Sequence, residues 1–364
     1  MIEVIKRNVV ILIELFLEPL LINMNKQRLA TYIWVDSDGN PRSKSRIVTK
    51  EIKSVDDLPV WNFDGSSTNQ AEGKFSDVYI HPRRLYKDPF RYSDDVLVLC
   101  DCWDDEKTPN KYNTRIFLER SYAKFKYLEP LSGLEQEYII FDRTTNLPYG
   151  WKGHNEPGSG KQGPYFCGTG GNYSFGRSLA ENHIKMCIEA GVHIYGLNSE
   201  DMPAQWEFQI GTVDPLTLAD DLTVARYILR RLTETSNSYV TFHPKPYLGN
   251  WSGSGGHINF STKEMREDGG IKKIEQAIKC LQEHHDECIE VYGKDNRNRL
   301  VGEFETEIID KFSWGVGNRL AAVRIPKEVW KNKKGFFEDR RPAANVDAYL
   351  ALDKVLNIVG GIED

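Results

Sequence analysis

Glu135 and Glu137 lie two positions apart in LEQEYIIFD, a segment whose apolar, β-branched and aromatic residues are typical of a strand. Side chains two positions apart on a strand project from the same face of the sheet, so both carboxylates should point the same way. Like charges this close repel each other, and a bound cation would remove that cost. The pair therefore predicts a metal site.

Further acidic residues occur in other apolar segments. Glu200 and Glu207 lie in NSEDMPAQWEFQIG, Glu338 lies in KKGFFEDRRP, and His257 lies in GSGGHINFST, where glycines leave backbone room beside the imidazole. Carboxylates with a single histidine suit Mg²⁺ or Mn²⁺ better than Zn²⁺, which favours thiolates. A lone strand glutamate usually faces solvent and a lone histidine is usually structural. Only the joint pattern favours metal ligands.

Arginines form the third group of polar residues that could do chemistry. They are Arg297, Arg299, Arg319, Arg324, Arg340 and Arg341. Guanidinium groups bind carboxylate and phosphate oxygens in pairs of hydrogen bonds, and divalent cations with several arginines are typical of phosphoryl-transfer sites. The ordinary interpretation is a solvated ion-pair face, which we keep for Arg341. The motifs GxxxxGK[ST], GxSxG and HExxH are absent, so any ATP site must be built differently.

The pattern along the chain predicts an α+β protein. Strand-like segments with turn signals between them (ATYIWVDSDGN, RSKSRIVTKEI, DVLVLCDCW) predict a small, mostly β domain over residues 26–108. From residue 109 to 364, helical segments alternate with strands, which indicates a larger catalytic domain. Residues 148–176 are dense in glycine and proline; a functional loop and a flexible surface excursion are both open.

Composition limits the possible partners. The 364 residues carry 47 Lys and Arg against 53 Asp and Glu, a net charge of -6, which argues against nucleic-acid and anionic-membrane surfaces and favours a small partner. Six cysteines without a CxxC pair predict a reduced, cytoplasmic protein. Residues 1–25 form an apolar extension that is too short to span a bilayer; we expect an extra helix, or an upstream start with Met24 as the ordinary beginning.

Several long motifs occur in one order along the chain. They are WNFDGSSTNQ, GLEQEYIIFD, QGPYFCGTG, NSEDMPAQWEFQIG, GNWSGSGGHINFST, NRLAAVRIP and KKGFFEDRRPAANVD. Together they resemble the eukaryotic-type (type II) glutamine synthetases from about residue 30 to 350. The resemblance implies a β-grasp-like domain followed by a catalytic α/β domain with a curved antiparallel sheet. It also implies ATP-dependent ligation of ammonia to the side-chain carboxylate of L-glutamate, through a γ-glutamyl phosphate.

The resemblance also implies roles for individual residues. One divalent ion, Mg²⁺ or Mn²⁺, would be held by Glu137, Glu200 and Glu207, a second by Glu135, His257 and Glu338, and a third would accompany ATP. ATP would contact Glu207, Asn259, Ser261, Arg319, Arg324 and Phe336. Glutamate would contact Asn250, Trp251, Gly253, Arg299 and Arg340. The catalytic residues would be Asp64, which deprotonates ammonium, Glu305 in the flap, and Arg319.

The partners implied are L-glutamate, ammonium, ATP and further copies of the chain, with no nucleic acid and no membrane. In the family, the small domain of one subunit lies against the catalytic domain of the next in rings, usually a homodecamer of two pentamers. Asp64 would then complete the site of a neighbour.

Two departures from the family pattern concern the residues that close on substrate. GEFETE replaces a GFHETS-like text while keeping Gly302, Glu305 and Thr306, and Phe336 stands where tyrosine is common. Two alternatives stay open: a non-catalytic structural relative, and a γ-glutamyl ligase that uses another amine. The complete set of acidic residues favours an enzyme, and the presence of both Asp64 and Glu305 favours ammonia.

Overall fold

The computed structural model describes residues 27–91, 93–151, 164–248, 251–304 and 306–361. These described residues form two compact units, which divide between Tyr112 and Asn113. The predictions for Asn250, Glu305 and the extension over residues 1–25 lie outside the described residues.

The first unit is built on one sheet. Its strands are β1 (Arg28–Val35), β2 (Pro41–Val48), β3 (Trp61–Asp64), β4 (Asp77–Lys87) and β5 (Val96–Trp103). They are arranged β2-β1-β5-β4-β3, with β1 and β5 parallel and the other pairs antiparallel. The sequence pattern predicted β1, β2 and β5 but missed β3 and β4.

Alternating side chains of these strands form the core of the first unit. Ala30, Tyr32 and Trp34 of β1 pack in one cluster with Val98 and Cys100 of β5. Burying such side chains contributes about 1.5–3 kcal/mol for each large one. The mostly β domain expected from the sequence therefore rests on the two-residue period of its strands.

The second unit contains a larger sheet. Its strands are β6 (Leu131–Asp142), β7 (Leu147–Pro148), β8 (Ile194–Ser199), β9 (Gln205–Val213), β10 (Ser238–Thr241), β11 (Gly256–Ser261), β12 (Trp314–Val316), β13 (Val323–Ile325) and β14 (Phe337–Asp339). The order is β12-β13-β14-β11-β6-β9-β8, and β7 and β10 also pair with β6. Among the described strands of this second sheet, only β12 and β13 pair in parallel. The predicted α+β fold with an antiparallel sheet is confirmed.

Helices accompany this sheet. They are α1 (Arg115–Phe125), α2 (Arg177–Ala190), α3 (Pro215–Thr233), α4 (Lys263–Arg266), α5 (Ile271–Glu283), α6 (His285–Val291), α7 (Lys327–Asn332) and α8 (Ala348–Gly360). The longest, α3, packs against β6, β9 and β10 and against α1, α2 and α8. The segment GIKKIEQAIKCLQEHHDECIEVYG, which reads as one helix, is divided at His284 into α5 and α6.

Within the described ranges, no helix is long and apolar enough to cross a membrane.

The N-terminus of α3 is stabilised by a side-chain cap. Asp214 accepts a hydrogen bond from the Thr217 amide at 3.0 Å, and Pro215 occupies the first turn, where its missing N–H costs nothing. Because α3 supports the back of the sheet, this cap stabilises the element on which the second unit is built.

We expect Asp214→Ala to lower the free energy of unfolding by about 1 kcal/mol, because it leaves an N-terminal amide of α3 without an acceptor. The measurement is the shift of the thermal unfolding midpoint. Asp268→Ala is the control, since Asp268 is an exposed partner of Lys334 and exposed ion pairs contribute little. Equal shifts for both variants would show that the cap contributes nothing specific.

Candidate active site

Strand register brings the predicted acidic residues to one face of the larger sheet. In the antiparallel pairs, Glu135 of β6 lies opposite His257 of β11, and Glu137 lies opposite Glu207 of β9. Glu338 lies on β14, the strand that pairs with β11 on the side away from β6. Residues directly opposite each other share a face, and so do residues two apart on a strand. Glu135 and Glu137 therefore share a face, as their spacing predicts.

The same register adds amides and an arginine to this face. Asn259 of β11 lies opposite Glu338, and Arg324 of β13 lies opposite Glu338 on the other side. Gln209 lies opposite Glu135 on β9, and Asn198 of β8 lies opposite Glu207. One continuous polar surface thus extends across six adjoining strands, in the order β13, β14, β11, β6, β9 and β8.

Glu135, His257 and Glu338 form a compact group of possible metal ligands. Nδ1 of His257 is 3.4 Å from Oε2 of Glu135 and 3.8 Å from Oε1 of Glu338. One ligand atom from each residue lies within 4.8 Å of the other two. His257 and Glu338 are buried, and buried carboxylates are costly without a compensating cation. Two carboxylates and one imidazole fit a hard divalent ion such as Mg²⁺ or Mn²⁺.

Glu137, Glu200 and Glu207 line the same region, and hydrogen bonds hold their carboxylates in place. Oε2 of Glu137 accepts from the side-chain amide of Gln205 and from the backbone amide of Gly255, each at 3.0 Å. Such supporting donors fix the orientation of possible ligands.

The other two carboxylates of this trio are oriented in the same way. Oε1 of Glu200 accepts from the amide of Asn198 at 2.7 Å, and Glu207 accepts from the amide of Gln209. Among the described residues, these three carboxylates do not close into a second group as tight as the one around His257.

A cavity of about 380 Å³ lies above this polar surface. It is lined by Glu135, Glu137, Phe166, Cys167, Asn198, Glu200, Glu207, His257, Arg319, Arg324, Glu338 and Arg340. All six predicted metal ligands and three of the predicted arginines therefore share one cavity. Arg324 donates to Oε2 of Glu338 at 2.8 Å, Arg340 donates to Oε1 of Glu338, and Arg319 lies 3.5 Å from Asp201.

A second cavity, of about 200 Å³, contains three residues predicted to contact ATP: Asn259, Ser261 and Phe336. The amide of Asn259 donates to Oε1 of Glu135 at 2.9 Å, which joins this cavity to the acidic surface. The sequence pattern missed Tyr195 and Arg266, which also line it. Neither residue stands in a motif that could have identified it.

Tyr195 stays neutral beside this acidic surface. Partial removal of its hydroxyl from water, together with the negative charges of Glu135 and Glu207, raises the pKa of Tyr195 to about 12. The hydroxyl can therefore donate a hydrogen bond without adding a further negative charge.

Among the described residues predicted to contact glutamate, Arg299 contacts His257, and Gly253 lies against Arg299. Trp251 is buried and donates from its indole to the carbonyl of Tyr247 at 2.8 Å. Gly253 has φ of 80°, and a Cβ there would lie 2.6 Å from the carbonyl oxygen of Pro244, so only glycine fits. Arg299 is almost fully buried, with NH2 only 3.0 Å from Nε2 of His257.

The interpretation of Arg341 as part of a solvated face is wrong. Its side chain is only 1% exposed, and it donates to both oxygens of Asp339, at 2.9 and 2.7 Å, and to Nδ1 of His285 at 2.9 Å. Strand alternation explains the error: Glu338 and Arg340 face the cavity, so Asp339 and Arg341 face the core.

Asp64, in the first unit, ends β3 and begins a short 3₁₀ turn, Gly65–Thr68. Its Oδ1 accepts from the hydroxyl of Ser66 at 2.6 Å and from the Ser66 amide at 3.0 Å, and Oδ2 accepts from the hydroxyl of Ser67 at 2.9 Å. These bonds, with the Ser66 hydroxyl first, hold the pKa of Asp64 below its usual range. Asp64 is therefore an exposed, ionised carboxylate.

Comparison with known proteins gives a consistent result. The models of the glutamine synthetase β-grasp domain and of the glutamine synthetase catalytic domain match residues 26–105 and 111–363. The glutamine synthetases of Eremothecium gossypii and Kluyveromyces lactis are each 48% identical to this chain over 337 residues, which is 92% of this chain and 90% of each relative. That of Saccharomyces cerevisiae is 47% identical over 336 residues, with the same coverage.

The contacts of Asp64 generate a prediction about its titration. We expect Ser66→Ala to raise the pKa of Asp64 towards its ordinary value, because the variant removes the largest stabilisation of the ionised form. The measurement is a carboxyl ¹³C titration by NMR. Ser76→Ala is the control, because Ser76 makes the smallest such contribution and should move the pKa less. A larger effect in the control would contradict the assignment.

Proposed function

The chain belongs to the glutamine synthetase family and is a glutamate–ammonia ligase, and we propose how its described residues divide that reaction. The family and the activity predicted from the motifs are confirmed by the two domain matches and by 48% identity over 92% of the chain. The family uses ATP and a divalent metal, and its substrates are glutamate and ammonia. The observation that carries the proposal is the acidic face of the large sheet, where six carboxylate and imidazole groups share a cavity with three arginines.

The reaction needs ATP because a carboxylate is a poor acyl donor. Direct attack by ammonia would have to expel oxide, so the side-chain carboxylate of glutamate first attacks the γ-phosphorus of ATP and displaces ADP. Ammonia then adds to the acyl carbon, phosphate leaves with the electron pair of the breaking C–O bond, and the nitrogen loses a proton to give the amide. Water must be excluded, because it would hydrolyse the acyl phosphate.

We assign the two groups of ligands to two ions. Glu135, His257 and Glu338 would hold one, and Glu137, Glu200 and Glu207 would hold the other, with a third ion on ATP; Mg²⁺ and Mn²⁺ both suit these donors. Support comes from the ligand atoms of the first group, which lie within 4.8 Å of one another. When bound, such ions neutralise the charge of phosphate oxygens and polarise the transferred group.

The arginines on the cavity wall position the phosphoryl group. Arg319 and Arg324 would contact ATP, with Arg319 also stabilising charge as the phosphoryl group moves, and Arg340 would contact glutamate. Arg324 and Arg340 both donate to Glu338, which fixes the two guanidinium groups beside the same carboxylate. Their orientation is thus set before substrate binds.

The nucleotide would extend from the acidic surface into the smaller cavity. Asn259 and Ser261 offer polar groups there, and the ring of Phe336 offers an apolar face for the base. Glu207 lines the larger cavity, where the phosphates would lie. Trp251, Gly253 and Arg299, with Asn250, would surround glutamate.

Asp64 and Glu305 would act on ammonium. The hydrogen bonds from Ser66 and Ser67 keep Asp64 ionised, so it attracts a cation. Transfer of a proton from ammonium to such a weak base is uphill, and it proceeds only because the acyl phosphate consumes the ammonia that forms. Glu305 would supply the second negative charge.

We further propose a cytoplasmic homodecamer of two pentameric rings, with domain boundaries at 26–108 and 109–364. In this assembly, Asp64 of one subunit acts in the site of the next. The closed symmetry of the rings gives every subunit the same contacts, so all sites are equivalent. An isolated subunit would then be inactive.

The first test is an assay of the purified protein with Mg²⁺, ATP and glutamate. We expect phosphate release to depend on ammonia and to be much slower with methylamine or ethylamine, because Asp64 and Glu305 favour a small cation. The measurement is coupled phosphate release for each amine at matched concentration. Faster turnover with an amine than with ammonia would point instead to a γ-glutamyl ligase with another acceptor.

The second test asks whether Asp64 completes a neighbouring site. Asp64→Ala and Glu338→Gln proteins should each be nearly inactive, but co-assembled oligomers should recover activity, because some interfaces pair an intact Asp64 with an intact Glu338. Random mixing at equal amounts gives about a quarter of the parent rate. Two variants that both lie in the second unit, Glu338→Gln and Glu135→Gln, form the control mixture and should recover none. Equal recovery in both mixtures would contradict the shared site.

A further inference from the structure

Arg299 and His257 contact each other beside Gly255, which has no side chain. NH2 of Arg299 lies 3.0 Å from Nε2 of His257, and both groups are buried. A Cβ on Gly255 would lie 2.5 Å from Nε2 of His257 and 2.6 Å from NH2 of Arg299. The glycine-rich approach to β11 therefore leaves room beside the imidazole, and the guanidinium of Arg299 fills that room.

The chemistry of the two groups determines which ring nitrogen of His257 carries hydrogen. A guanidinium group has donors only, so Nε2 must be the acceptor in this contact. A neutral imidazole has one donor and one acceptor, so the hydrogen resides on Nδ1. Nδ1 lies 3.4 Å from Oε2 of Glu135, an acceptor for that hydrogen. In this form Nδ1 has no lone pair in the ring plane to offer a metal.

We propose that Arg299 and a divalent cation compete for His257. This inference rests on the proposed function, in which Nδ1 of His257 faces the ion held with Glu135 and Glu338. When Nδ1 ligates an ion, the neutral ring carries its hydrogen on Nε2, where it would oppose a donor of Arg299 across 3.0 Å. Both forms of the ring are neutral, so the exclusion comes from two opposed donors and not from a change of charge.

The displaced arginine stays attached at its other contacts. NH2 of Arg299 is 3.0 Å from the carbonyl oxygen of Arg340, and NH1 is 3.4 Å from that of Arg341. These carbonyls lie on the segment that carries Glu338, and the side chain of Arg341 is fixed to Asp339. Arg299 therefore needs only to turn away from the imidazole, within reach of the carboxylates of glutamate.

The competition couples two ligands. When the ion binds, the N–H of Arg299 that donated to His257 becomes available to the substrate. Ion binding should therefore strengthen glutamate binding, and by linkage glutamate should strengthen ion binding. Nε2 of His257, which Arg299 contacts, is 3.9 Å from Oε1 of buried Glu137, so the positive charge of Arg299 lowers the cost of burying that carboxylate.

The test measures Mn²⁺ binding by electron paramagnetic resonance in protein free of nucleotide and glutamate. Arg299→Met and Arg299→Lys should both tighten the binding of Mn²⁺ at this site by about tenfold, because the ion no longer has to break a hydrogen bond. The shorter lysine keeps the charge but ends about one bond short of Nε2. Tightening in Arg299→Met alone would indicate simple charge repulsion and would overturn the competition.

Two controls separate this inference from the proposed site. Arg297→Met should leave Mn²⁺ binding unchanged, because Arg297 forms an exposed pair with Asp310 in the same segment. His257→Ala should weaken binding at least tenfold. If His257→Ala has no effect, the proposed ligand set is wrong; if it weakens binding while both Arg299 variants match the parent, only the competition is wrong.

A second measurement follows the hydrogen position on His257 in the parent protein itself, and a variant serves only to assign the signals. In protein labelled with ¹⁵N-histidine, the signals of His257 should show hydrogen on Nδ1 without an ion and on Nε2 after addition of diamagnetic Mg²⁺. His257→Gln identifies the signals. A parent spectrum with hydrogen on Nε2 before Mg²⁺ is added would overturn the proposal.

Discussion

The register between β6 and its two neighbours is the constraint on which the site depends. It sets Glu135 opposite His257 and Glu137 opposite Glu207, and a slip of one residue would turn each of these side chains to the other face of the sheet. The register is fixed from behind as well. Gln136, whose side chain points to the opposite face, donates to the carbonyl of Ala344 at 2.9 Å and accepts from the half-buried Arg226. A polar network in the core therefore holds the acidic face in position.

That acidic face opposes stability. Several carboxylates with little access to water lie within a few ångströms of one another, an arrangement that costs free energy unless cations compensate. The chain supplies part of the compensation itself: Arg324 and Arg340 contact Glu338, and Arg299 contacts His257. The same arginines are those we assign to substrates. The groups that lower the cost of burying these carboxylates are thus the same groups that we propose to bind the substrates.

Sequence reasoning succeeded where a local rule decides the outcome. The shared face of Glu135 and Glu137 follows from the two-residue period of one strand, and long helices such as α3 follow from their apolar pattern. It failed where the outcome depends on pairing between strands that are far apart in the sequence. β4 contains Pro82 beside a register shift, so its pattern is broken, and β14 is too short to show the alternation that buries Arg341. Tyr195 reaches the smaller cavity only through the pairing of β8 with β9, which no local pattern reveals.

The buried pair of Asp339 and Arg341 has a consequence for how the metal site is made. The guanidinium of Arg341 is fixed to both oxygens of Asp339 and to His285, and the hydroxyl of Tyr292 donates to Asp339 at 2.7 Å. Both neighbours of Asp339 in the chain, Glu338 and Arg340, are thereby anchored through the core. The folded strand sets the position of Glu338, and Arg324 and Arg340 hold its carboxylate. Under the proposed ligand assignment, selection among ions would then depend on which ion fits a cage of given size, rather than on which ion can draw its ligands together.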